Sequence, residues 1–202
     1  MPNMTVARCL RRTLAVAALT VVAAAAAMAQ QKIVNGGFES GSFTGLTRGG
    51  NTGSTSVSSN CGGFAPHSGD FCGRLGPVRS DGTLSQTCSA TAGNSLSLSF
   101  WLASNGAALN DFRVFLNGAT LFDQANLGSF DFTQFTFNAT ALASDTLTFA
   151  FRNDPSYLGL DDISVTEGPP TMTTTPEPSS MALLGTGLVG LVPMVRRRRK
   201  NG

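Results

Sequence analysis

The sequence predicts an all-β sandwich flanked by an N-terminal signal helix and a C-terminal hydrophobic helix. Three observations carry that prediction. The dominant period between residues 33 and 166 is two, no helical period is sustained there, and Gly, Asn, Asp and Ser punctuate the apolar runs at short intervals. A chain of 202 residues has room for one ordinary domain plus targeting segments.

At the N-terminus, Arg8, Arg11 and Arg12 precede an apolar run rich in Ala and Val over residues 13–26, and Ala27-Met28-Ala29 follows. A basic head, a short apolar run and a small-x-small site make a secretory signal. Residues 1–29 are expected to be removed by signal peptidase, leaving Gln30 first. Cys9 lies before the apolar run and leaves with it.

The domain is expected over residues 31–167. Ser95-Leu96-Ser97-Leu98-Ser99-Phe100-Trp101-Leu102 alternates cleanly, with Leu96, Leu98, Phe100 and Leu102 on one face. Phe112, Val114 and Leu116 alternate next. Asn117-Gly118 then signals a two-residue hairpin turn, and Leu121 and Phe122 begin the return strand. Phe135 and Phe137 share a face, as do Leu147, Phe149 and Phe151, and Ile163 with Val165 closes the domain. Fourteen Phe against one Trp and one Tyr point to a ring-packed core more than to sugar stacking.

Charge excludes some partners. The cations crowd the two ends of the chain, whereas residues 31–170 hold six cations and eleven anions, a difference of five in favour of the acids. No basic stripe exists there for nucleic acid. No histidine but His67 is present and no CxxC spacing occurs, which argues against zinc. No residue set has the context of a nucleophile or acid–base pair, so no catalysis is expected.

Three cysteines remain after export: Cys61, Cys72 and Cys88. Export permits a disulfide, and the odd count leaves one thiol over. Cys61 and Cys72 flank the loop CGGFAPHSGDFC and are the first choice; Cys72 with Cys88 is the alternative.

Four strings resemble, in order, the strands of galactose-binding-like jelly rolls, the fold of many carbohydrate-binding modules. They are IVNGGFESGSFTGL, APHSGDFCGRLG, GTLSQTCSATAGNSLSLSFWL and YLGLDDISVT. The resemblance implies a jelly-roll sandwich. One departure is Gly45-Leu46, where such openings commonly read Gly-Trp. Trp101, with the opposite parity to Leu98, Phe100 and Leu102, and Tyr157, in a loop, are the candidate ligand-binding aromatics. Each has a plain packing role as its alternative. The resemblance also implies a structural calcium joining an acid near the first strand to one at the last. Glu39 and Asp161 match, with Asp162 as helper. Hard oxygen ligands suit that ion. Asp161 shares parity with Ile163 and Val165 and is expected to point inward, where a carboxylate needs a partner.

After Thr166 the composition changes. Residues 168–175 read as an extended Pro/Thr linker. Pro176-Glu177-Pro178 makes a non-helical bend. The apolar stretch 181–195 would form a helix about 22 Å long, short against a bilayer core of about 30 Å. Arg196, Arg197, Arg198, Arg199 and Lys200 follow and favour the cytoplasmic side. This order of features over residues 176–200 resembles the PEP-CTERM sorting signal. The resemblance implies transient anchoring in the inner membrane, processing by an exosortase-type protease, and delivery to the envelope or exopolysaccharide. Similar tails carry an "ice-binding protein C-terminal" label, but no regular Thr-x-Thr array is expected to line a flat strand face here. A non-catalytic surface or biofilm-matrix role with carbohydrate as ligand follows. A purely structural surface protein and an extracellular glycoside hydrolase are the alternatives.

Overall fold

The computed structural model describes residues 29–170 apart from Pro155, and the expected signal segment up to residue 28 and the sorting segment lie outside them. Among the described residues, eleven strands make two antiparallel sheets, a jelly-roll sandwich. In chain order they are β1 (Gln30–Gln31), β2 (Thr47–Gly50), β3 (Thr55–Ser58), β4 (Cys72–Leu75), β5 (Gly82–Cys88), β6 (Asn94–Asn105), β7 (Asn110–Leu116), β8 (Ala119–Ala125), β9 (Ser129–Thr140), β10 (Asp145–Asn153) and β11 (Leu158–Pro170). One sheet runs β3-β4-β11-β6-β9, with β1 also pairing β11; the other runs β2-β5-β10-β7-β8. Strand β11 reaches Pro170, into the stretch expected as linker.

Alternation decides which residues meet between the sheets. Leu96, Leu98, Phe100 and Leu102 of β6 are buried, and they face buried Phe112, Val114, Leu147, Phe149 and Phe151 of the opposite sheet. Phe100 is the hub of a ring cluster. Its centroid lies 5.5 Å from that of Phe135 and 5.4 Å from that of Phe149, the first stacked and the second edge-on. Each ring so buried contributes on the order of 1.5–3 kcal/mol. The Asn117-Gly118 turn joins Leu116 to Ala119 with φ of 52° and 82°, the left-handed pair a type I′ hairpin requires.

Of the three register shifts in the first sheet, two lie near Trp101, one on each side of β6, and the third lies between Glu167 and Pro170. Asp161 pairs Trp101 but Ser164 pairs Ser99, so Asp162 and Ile163 together oppose Phe100. Likewise Thr133 pairs Leu102 but Phe130 pairs Ser104, so Asp131 and Phe132 oppose Ala103. Each extra residue reverses the parity of what precedes it. The expectation that Asp161 points into the core is therefore corrected. Asp161 shares Trp101's face, outside the sandwich, while Ile163 and Val165 stay inside.

The register also pairs hydroxyl side chains across the second sheet. On the outer face of the second sheet, Thr87 pairs Thr146 and Ser85 pairs Thr148. Scattered in sequence, these residues form a short hydroxyl ladder, with Thr87 and Thr146 hydroxyls 2.9 Å apart.

Glu167 ties the terminal strand to its neighbours. It accepts from Lys32 Nζ at 2.5 Å, from the Thr91 N–H at 2.8 Å and from Asn94 Nδ2 at 2.6 Å. Led by the Lys32 bond, these donors hold its carboxyl down to about 2 from an ordinary 4.5. A depressed acid stabilises the fold above its unfolded pKa and loses that contribution as pH falls. Denaturant midpoints of the full chain should therefore drop between about pH 4.5 and 2, and Glu167→Gln should flatten the drop. Parallel pH curves for the two proteins would remove Glu167 from this role.

Candidate functional site

The chain between β3 and β4 lies across the outer face of the first sheet. Cys61 and Cys72 are bonded, with Cα atoms 5.9 Å apart, and Cys88 is a buried free thiol. The bond returns the loop to the start of β4. Closing a loop of this length stabilises a fold by about 3 kcal/mol in the chain-entropy picture. Beneath Cys61 lies Gly159 of β11. A Cβ there would sit 2.9 Å from the Cys61 carbonyl oxygen and 3.1 Å from the Phe132 ring, so only glycine lets the loop lie flat.

Acids fasten the rest of the loop. Asp161 is fully buried under it. Its Oδ2 accepts from the His67 N–H at 2.9 Å and the Ser68 N–H at 3.4 Å, and its Oδ1 from the Asp162 N–H at 2.8 Å. Burial pushes its carboxyl up to about 6; the backbone donors oppose that shift and the Asp162 charge adds to it. Asp162 accepts from the Ser68 hydroxyl at 2.8 Å and meets His67 Nδ1 at 2.6 Å. Farther along, Glu39 accepts from the Asp70 and Phe71 N–H groups, at 3.0 and 3.1 Å. Gly69 makes room for it: with φ of +62°, its missing Cβ would lie 2.3 Å from the Glu39 carboxyl carbon.

Glu39, Asp161 and Asp162 thus converge around Gly37, whose absent Cβ would lie within 4 Å of all three side chains. Their oxygen chemistry suits calcium. Their placement serves the loop: each carboxylate is turned to N–H or O–H donors. Among the described residues no group of three or more His, Cys, Asp or Glu side chains is disposed to hold a metal ion.

The loop and the strand bulges together frame an open pocket of about 580 Å³. His67 stacks on Trp101 with centroids 3.6 Å apart and planes at 18°. Phe132 stands 5.9 Å from His67 and 6.3 Å from Phe64. Pro66 and Asp131 complete the wall. Asp131 is exposed, and its Oδ1 accepts the Phe132 N–H at 2.7 Å. Trp101 therefore lines the pocket. Tyr157 does not: it is wedged against Gly62 and Gly76 with Arg74 3.5 Å above its ring. Sequence reasoning missed Phe64, His67, Asp131 and Phe132 as site residues. A signal for Phe132 existed, since it has the opposite parity to Phe135 and Phe137, whose rings pack on the core.

Pro176, Glu177, Pro178 and the four terminal arginines lie outside the described residues. In sequence, residues 174–200 match the PEP-CTERM protein-sorting motif. A motif of this kind marks an exported protein that passes through the membrane. Among the described residues no helix is long and apolar enough to cross a membrane. No curated protein matches the chain in sequence. Solved structures do match in fold. TmCBM61, determined in complex with β-1,4-galactotriose, superposes with a TM-score of 0.56 at 15 % identity, over 68 % of this chain and 99 % of that one. The enzymatically active domain of bacteriophage CBA120 tailspike protein 4 gives 0.50 at 10 % identity, over 68 % of this chain and 21 % of that one. The CBM22-1 xylan-binding domain of Paenibacillus barcinonensis Xyn10C gives 0.45 at 16 % identity, over 69 % and 94 %. At these identities the likeness is one of fold.

Proposed function

We propose that this is a non-catalytic cell-surface or exopolysaccharide-matrix protein that binds carbohydrate in the pocket under the 59–71 loop. Signal peptidase removes the leader, and the tail rests in the inner membrane until an exosortase-type protease processes it. The sorting motif supports that route. The pocket carries the binding reading: rings of Phe64, His67, Trp101 and Phe132 border an open space beside an acceptor carboxylate on Asp131. Sugar rings present apolar C–H faces and a rim of hydroxyl groups, which such a mixed wall matches. The wall carries one carboxylate, where the common glycoside-cleaving mechanism uses two, and this favours binding over hydrolysis.

The full chain in mild detergent should be retained on at least one of a panel of polysaccharides, including the host's own exopolysaccharide. Trp101→Ala should abolish that retention. Retention on none of them would favour the purely structural reading.

A structural calcium at Glu39, Asp161 and Asp162 is a second proposal: the three acids surround Gly37, and the ion would have to displace the N–H and O–H donors from which their oxygens now accept. Binding to the folded state raises stability. Calcium should raise the Tm of the wild-type chain above its value in chelator and leave Glu39→Ala unmoved; equal wild-type values would sink the metal site.

A further inference from the structure

We propose that the pocket selects a cationic sugar unit, a protonated amino sugar in a de-N-acetylated hexosamine stretch of a polysaccharide. This deepens the carbohydrate-binding reading and rests on it. The polar and aromatic members of the pocket wall are Phe64, His67, Trp101, Asp131 and Phe132, and no Lys or Arg is among the lining residues. Aromatic faces carry negative quadrupole charge and attract cations.

The domain satisfies that attraction internally elsewhere. Arg74 lies 3.5 Å from the Tyr157 ring centroid and Arg48 5.3 Å from that of Phe43. Among the described residues no guanidinium or ammonium covers Phe64, Trp101 or Phe132.

The carboxylates agree with the rings. Asp131 is exposed at the wall and makes no ion pair among the described residues. The imidazole of His67 is turned by Nδ1 to the Asp162 carboxylate, so any charge it carries is matched below it. That leaves Asp131 as the uncompensated charge in the wall. Eleven anions against six cations over residues 31–170 add a long-range field of the same sign. A uronic-acid chain meets repulsion here, a neutral chain meets only the rings, and an ammonium group meets both rings and carboxylate.

The test compares four oligosaccharides of equal length by calorimetric titration into the full chain: β-1,4-glucosamine, its N-acetylated form, β-1,4-galactose and a uronic acid. The glucosamine oligomer should bind about tenfold tighter than its N-acetylated form, an advantage a desolvated ammonium–ring and carboxylate contact supplies. Asp131→Asn and raised salt should erase that advantage, while Asp123→Asn, on the other sheet, should leave it unchanged. Equal or tighter binding of the N-acetylated or galactose oligomer, still lost on Trp101→Ala, would overturn the cationic preference and keep the carbohydrate reading. Glucosamine binding indifferent to both Asp131→Asn and Trp101→Ala would reduce it to general charge attraction and overturn the proposal. Binding of none of the four would remove the carbohydrate reading from this pocket, and the inference with it.

Discussion

A single buried carboxylate joins the loop to the sheet. Asp161 leaves β11 on the outer face, is wholly covered, and takes the N–H groups of His67 and Ser68 as its cover. An unpaired carboxylate there would be costly, so the loop and the acid stabilise each other. His67 can stack on Trp101 because its backbone is held at Asp161 and its ring nitrogen at Asp162. Without that anchor, the pocket would lose its floor and one wall together.

Two bulges make the anchor available. An uninterrupted β11 would bury Asp161 in the Phe core, and an uninterrupted β9 would put Asp131 on the core face with Phe135 and Phe137. Placed on both sides of β6, they bring Asp161 and Asp131 out beside Trp101 and Phe132. The disulfide sets the path of the loop above them, and Gly159 gives it clearance. Function in this reading is a property of irregularities laid on a regular sandwich, as expected where binding residues sit on loops over a rigid scaffold.

The regular part was legible in the sequence because alternation has a mechanism. Leu96, Leu98, Phe100 and Leu102 could share a face only as a strand, and Asn117-Gly118 could supply paired left-handed residues for a turn. The side of Asp161 was not legible, because parity counting assumes that no residue is inserted, and Asp162 at φ of 45° is such an insertion. The outward face of Trp101 followed from parity; its partner His67 did not, being 34 positions away and brought near by a loop. The threonine ladder was hidden for a similar reason, since register between β5 and β10 is a tertiary fact. The sorting tail was legible throughout, because its chemistry is a linear order of residues that needs no fold.

The most direct measurement is amide hydrogen exchange of His67, Asp70 and Phe71 in the full chain. These N–H groups sit in an exposed loop yet are bonded to Asp161 and Glu39. If the acids hold the loop to the sheet, these amides exchange as slowly as those of central strand β6, through global opening. Exchange at the rate of an unstructured peptide would show the loop free of the sheet and would contradict the account of the pocket.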